Sequence, residues 1–338
     1  MSDLKTTFTS GSKFPAAGDA VSASSKTAGL HPYPDSRSPD ADPRIDGAGE
    51  PCPAPLMWQE ILEKYHSEST PWQFDHGRHR ILGRTWGSGP PLYFLNHFAG
   101  TAELFALTLW LLKDEFRCVV FDVTATHPKK SSRSTITDFA ADLFAVANEQ
   151  GDSRVSIYGA GFGAAVAMEA ALHSPASIEH LFLQHGFAYR RLSYFERALA
   201  SVCLQSSRNL NDLPQRRRFQ AVNHQPWFPP FDSSRFEFLL ESTGTIPLRD
   251  LAEKAFAAHS YDIRSRLSEI SAPALLLRTE GEGRIAAEAQ DVLTEKLLNC
   301  RTEWMHSAGQ HPYLTHPHRV AKLVRMFVAT ALPQSGGI

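Results

Sequence analysis

The sequence predicts an α/β protein: a mostly parallel central sheet flanked by helices, with a helical cap inserted late in the chain. Three observations predict it. Short apolar runs alternate with helix-patterned stretches from Leu92 onward, the order that builds a parallel sheet wrapped on both faces. The run Val155-Ser-Ile-Tyr-Gly-Ala-Gly-Phe-Gly-Ala-Ala165 passes from β-prone residues through Gly159, Gly161 and Gly163 into an alanine-rich helix. From His185 to about Ser271 strand patterns cease while helical ones continue, so an insertion follows a strand.

The elements follow in order. Trp58, Ile61, Leu62 and Tyr65 share one face of a lead-in helix. Trp72 to His76 and Arg80 to Trp86 form an antiparallel hairpin turning at His76-Gly77, placed at the sheet edge. The breaker Gly87-Ser-Gly-Pro-Pro91 precedes a buried parallel strand, Leu92 to Leu95, then a loop, Asn96 to Thr101, and a helix, Ala102 to Lys113. Alternation continues with strand Cys118 to Phe121, helix Ile136 to Ala147, strand Arg154 to Tyr158, helix Phe162 to His173 and strand His180 to Leu183. The cap, about 186–271, holds helices Tyr194 to Leu204, Ser234 to Glu241 and Leu248 to Ala258. Strand Ala274 to Leu277, helix Ala286 to Leu298, strand Thr302 to Met305 and helix Pro317 to Leu332 close the chain.

Residues 1–55 are rich in Ser, Thr, Ala, Gly, Pro and Asp, and too poor in large apolar residues to offset the entropy of ordering. They are expected to be a disordered extension ahead of a folded domain spanning 56–338. With 338 residues, 42% hydrophobic and net charge −2, the chain is expected to be a soluble protein with a sizeable core and no broad nucleic-acid footprint. The basic run Arg216-Arg217-Arg218 reads as a solvated face. Cys52, Cys118, Cys203 and Cys300 lie far apart, without zinc-knuckle or disulfide spacing, so a reducing, cytoplasmic setting is expected. No apolar run reaches the roughly 20 residues that span a bilayer.

The element order, the Gly-Ala-Gly-Phe-Gly turn and the late loop Ala308-Gly-Gln-His-Pro-Tyr-Leu314 together resemble the α/β-hydrolase fold over about residues 72–332. Within it, Ala99-Gly-Thr-Ala-Glu-Leu-Phe105 and Pro312-Tyr-Leu314 are similar to the maspardin family. The resemblance implies a nucleophile elbow, Gly-x-Ser-x-Gly, in which the serine stands on a sharp strand-to-helix turn. This chain has Gly161 there. Aligning the late loop as Ala-Gly-His-x-Pro sets Gln310 at the base position, and an amide cannot take up a proton near neutral pH. His311, one residue on, is the candidate substitute base. The acid position falls to Glu282 or Glu280, and His97 stands where the first oxyanion loop commonly carries glycine.

Loss of nucleophile and base together costs on the order of 10⁶ in rate. The leading expectation is therefore a non-catalytic hydrolase-fold protein that binds a small apolar ligand or a protein partner. Asn96, His97, Phe98, Phe162, His185, Phe187 and His311 are expected around the pocket mouth, where open α/β sheets bind ligands. The alternative is an enzyme with atypical chemistry that uses His311 or His97 as base. A third reading places function in the N-terminal extension. No cofactor is implied. His97, His306, His311, His316 and His318 lack metal-ligand spacing, and the glycine spacing fits neither a phosphate loop nor a dinucleotide turn.

Overall fold

The computed structural model describes residues 57–125, 133–230 and 232–331. The expected disordered N-terminal extension, 1–55, lies outside these residues. Helix α1 (Trp58–Glu68) leads into the antiparallel hairpin β1 (Thr70–His76) and β2 (His79–Trp86). There follow β3 (Pro91–Leu95), α2 (Ala106–Leu112), β4 (Arg117–Ala125), α3 (Ile136–Glu149), β5 (Val155–Ala160), α4 (Phe162–His173) and β6 (Ile178–Gln184). The cap supplies α5 (Tyr194–Cys203), α6 (Arg216–His224), α7 (Ser234–Gly244) and α8 (Leu248–His259). The sheet then resumes with β7 (Ala274–Thr279), α9 (Arg284–Lys296), β8 (Cys300–Met305), α10 (Pro312–Thr315) and α11 (Pro317–Ala331).

Among the described residues the eight strands form one sheet ordered β1-β2-β4-β3-β5-β6-β7-β8. The hairpin occupies the edge, β2 running antiparallel to β4, and every later pairing is parallel. Because side chains alternate across a strand, each central strand feeds two cores. Tyr93, Leu95, Val119, Ile157 and Leu183 meet α3 and α4 on one face; Leu92, Phe94, Val120, Tyr158 and Phe182 meet α1, α2 and α11 on the other. Helix α4 is apolar nearly all round, as a helix buried on every side must be.

Several expectations change in detail. The helix starting at Ala102 begins as a 3-10 turn, Ala102–Phe105, before α2 takes over. Strand β4 runs four residues past its apolar stretch to Ala125, because β2 pairs with it from Cys118 to Ala125. Helix α6 had no apolar stripe to announce it. Arg216, expected on a solvated face, is buried, donating to Asn211 Oδ1 (2.5 Å), Leu240 O (2.8 Å) and Thr243 Oγ1 (2.5 Å). It pins α6 to α7 through its fork of donors.

Candidate functional site

Gly161 forms the turn between β5 and α4 with φ 55° and ψ −106°, a conformation that L side chains rarely adopt. Its N–H donates to Gln184 O (2.8 Å) on β6. Two positions on, a Cβ at Gly163 would overlap the Leu95 carbonyl, so glycine lets α4 start directly against β3. The strand-to-helix turn is thus tight, with glycine at its apex. The space beside that glycine is filled from outside: a Cβ built at Gly161 would overlap His97 Nδ1 and lie 3.0 Å from His97 Cε1.

His97 is held there by the late loop. Its Nε2 lies 3.1 Å from Gln310 O, which can only accept, so Nε2 carries the proton and Nδ1 presents a lone pair toward Gly161. Gln184 ties the surroundings together. It accepts from Tyr158 OH (2.6 Å) and donates to Gln310 O (2.8 Å) and His185 Nδ1 (3.1 Å). His185 in turn reaches Thr279 Oγ1 (2.8 Å) through Nε2, and its own backbone is left-handed at φ 50°. His311 stands behind His97, ring centroids 5.4 Å apart, its Nδ1 2.9 Å from Tyr313 OH. His224 packs edge-on against His311 at 5.1 Å, and its buried Nδ1 has no partner.

Burial holds all four imidazoles in the neutral form, joined at His97, His185 and His311 by repulsion from neighbouring imidazoles. It pushes His97 down to about 4 despite the Gln310 carbonyl, and takes His185 and His311 well below and His224 below the usual histidine range. Such a base is weak at neutral pH. Among the described residues no group of three or more His, Cys, Asp or Glu side chains is arranged to hold a metal ion.

The expected acid positions separate. Glu280 is exposed and accepts from the Ser307 N–H (2.9 Å). Glu282 is buried but engaged elsewhere, accepting from Arg278 Nη2 (2.7 Å), Gln290 Nε2 (3.2 Å) and the Thr279 N–H (3.3 Å). Gln310 Nε2 donates to the Glu282 backbone carbonyl (3.4 Å). On the oxyanion side, the His97 N–H is turned to Asn96 Oδ1 (3.2 Å), and Asn96 also donates to Thr101 O. Phe162 heads α4, where first-turn N–H groups lack an intrahelical acceptor.

A cavity of about 630 Å³ opens over this floor at the carboxyl ends of the strands. Of the expected residues, His97, Phe98, Gly161, His185, Phe187, Glu282 and Gln310 line it. Asn96, Phe162 and His311 do not; Phe162 backs Phe98 at 5.2 Å, and Phe98 stacks on Phe187 at 6.0 Å. No serine, threonine, cysteine or lysine is among the lining residues. Trp227 lies across both loops that would carry acid and base, in spaces left by Gly281 and Gly309. Gln184, Thr279, His224 and Trp227 escaped sequence reasoning. Gln184 alone carried a signal, an amide ending an apolar strand.

A second constellation imitates a triad. Ser134 Oγ lies 3.2 Å from His79 Nε2, and His79 Nδ1 lies 2.6 Å from Asp142 Oδ2. Burial opposes charge on His79, but the hydrogen bonds and charges of Asp142 and Glu253 prevail and raise it to about 9. An imidazolium cannot accept a proton, and buried Ser134 already donates to Glu253. With Arg78 joining Glu253 and Ser134, the cluster is an ionic latch between hairpin, α3 and α8.

No family model and no curated protein matches the chain. Solved structures do. A hydrolase from Pseudomonas aeruginosa PA01 is 19% identical with TM-score 0.64, covering 78% of this chain and 98% of its own. A thermophilic esterase from Thermogutta terrifontis is 18% identical, TM-score 0.65, covering 78% and 100%. The enol-lactonase from Burkholderia xenovorans LB400 is 14% identical, TM-score 0.62, covering 76% and 99%. At such identities the likeness is one of fold.

Proposed function

We propose, for a chain whose fold is that of the α/β hydrolases, that it is a non-catalytic, maspardin-like member of that fold which binds a small apolar ligand in the cavity above Gly161. The observation that carries this reading is the His97 ring, seated where a nucleophile's side chain would stand. Phe98, Phe187, Ile285 and the neutral imidazoles of His97 and His185 offer an apolar guest a surface, while Arg190, Arg284 and the Arg278-paired Glu282 complete the lining. The folded unit is taken as 56–338, with the cap at about 186–271. The neighbours' names, a hydrolase, an esterase and an enol-lactonase, belong to those proteins; the fold alone does not carry their chemistry here.

The test follows from the packing. Gly161→Ser with Gln310→His would still set the new side chain against His97, so His97→Gly must accompany them. The triple replacement is expected to gain labelling by a serine-directed phosphonate, while the natural chain stays unlabelled. Hydrolysis of short acyl esters by the natural chain, lost on His97→Ala, would overturn the reading. That outcome would instead support a second one, in which His97 Nδ1 acts as base without a covalent intermediate. Its lone pair faces the cavity floor, which favours it over His311 for that role.

A further inference from the structure

The cap concentrates the exposed apolar side chains of the described residues. Eight of the fourteen large apolar side chains exposed among the described residues fall between Tyr189 and Val222. The same stretch carries seven arginines, of which Arg216 is buried and Arg217 pairs with Glu237, against two carboxylates, Glu196 and Asp212, in a chain of net charge −2. Helix α5 concentrates the pattern. Its inner face packs Ala200 and Cys203 on Ala252 and Phe256 of α8. Its outer face presents Tyr194 (89% exposed), Phe195 (77%), Leu199 and Val202 (70%), with Phe195, Leu199 and Val202 at spacings of four and three along one stripe.

The charges around this stripe are only partly matched. Glu196 closes the capping box with Ser193 and pairs with Arg190 (3.2 Å), and Asp262 is held by both arms of Arg264. Arg191 and Arg197 lie over the aromatic rings of Tyr189 and Tyr194. The segment before α5 is also a cavity wall. Tyr189, Arg190, Arg191 and Leu192 line a space of about 550 Å³ that adjoins the cavity over Gly161, sharing Tyr189, Arg190, Ile285 and Ala289 with it.

We infer that the outer face of α5, with the arginine-rich segment before it, docks on an anionic lipid surface and turns the cavity mouth toward the bilayer. Aromatic and aliphatic side chains standing clear of their neighbours suit a fluid apolar layer, which needs no matching relief. Arginines beside them sit at headgroup level and pair with phosphate. A protein partner would ordinarily seat such side chains in pockets at a well-packed centre. An apolar guest would then pass between bilayer and cavity without crossing water.

The test is cosedimentation of the full chain with phosphatidylcholine vesicles, with and without phosphatidylglycerol. It needs no cavity ligand, so its outcome is separate from that of the ligand-binding reading. Binding is expected only with phosphatidylglycerol and to fall with added salt. Phe195→Ser with Val202→Ser is expected to weaken it at least about tenfold, and Arg191→Gln with Arg197→Gln about tenfold. All four positions are exposed, so an unchanged thermal midpoint verifies folding. Failure to bind anionic vesicles, or binding indifferent to both double replacements, overturns the inference. So does Phe195-dependent binding of polyglutamate, or Phe195-dependent self-association, in the absence of vesicle binding; these would assign the face to an acidic protein or to a second copy.

Discussion

A methyl group at position 161 would meet two obstacles of different kinds. The backbone is in a region costing a non-glycine residue about 1–3 kcal/mol, and the Cβ would overlap His97. Gly161→Ala is expected to destabilise the protein by about 2 kcal/mol or more in urea unfolding. In a His97→Gly background the ring clash is gone and only the backbone part should remain. Equal losses in both backgrounds would mean that His97 swings aside freely. At the neighbouring hub, Gln184→Leu strands Tyr158 OH and His185 Nδ1 in a buried setting. The expected cost is about 3 kcal/mol, since each abandoned polar group costs about 1–3 kcal/mol. A loss below about 1 kcal/mol would show that the network is not needed for stability.

Between elements, the latch formed by β2, α3 and α8 is where pH acts. His79 is raised from 6.5 to about 9, so its contribution is complete below pH 6.5 and is lost as pH rises through about 9. Glu253 is opposed by burial but lowered from 4.5 to about 2 by His79, Ser134 and Arg78; its contribution is complete above pH 4.5 and is lost as pH falls through about 2. The two overlap between 4.5 and 6.5, where the latch is strongest. Asp142→Ala, which removes the partner of both His76 and His79, is expected to cost about 3 kcal/mol at pH 6. The loss should be clearly smaller at pH 9.5, and a loss independent of pH would remove the ionic account.

At the scale of the whole molecule, the ligand-binding reading predicts a stability response. A guest that binds only the folded chain adds about 2.7 kcal/mol at a hundredfold excess over its Kd. A thermal-shift screen of small apolar compounds should therefore find members that raise the midpoint. Phe98→Asp with Phe187→Asp, at the cavity wall, should abolish that rise, whereas a rise that survives it would point to another site. No helix among the described residues is long and apolar enough to cross a membrane.

The alternation of strands and helices, the edge hairpin and the glycine turn were legible in the chain itself, because period-two and period-3.6 patterns and glycine spacing are local properties. Helix α6 was not, because it is held by a buried arginine rather than an apolar stripe. The absence of a hydroxyl at Gly161 and of a base at Gln310 could be read directly. That His97 stands against Gly161, that Glu282 is bound to Arg278, and that Gln184 joins four segments could not. These depend on residues from β3, β5, β6, β7 and the late loop arriving at one point. Sequence alone determined that position 161 carries no side chain and position 310 an amide, since residue identity is the same in every conformation. Tertiary structure decided what stands against position 161, since a contact between residues far apart in the chain exists only once the sheet has brought its strand ends together.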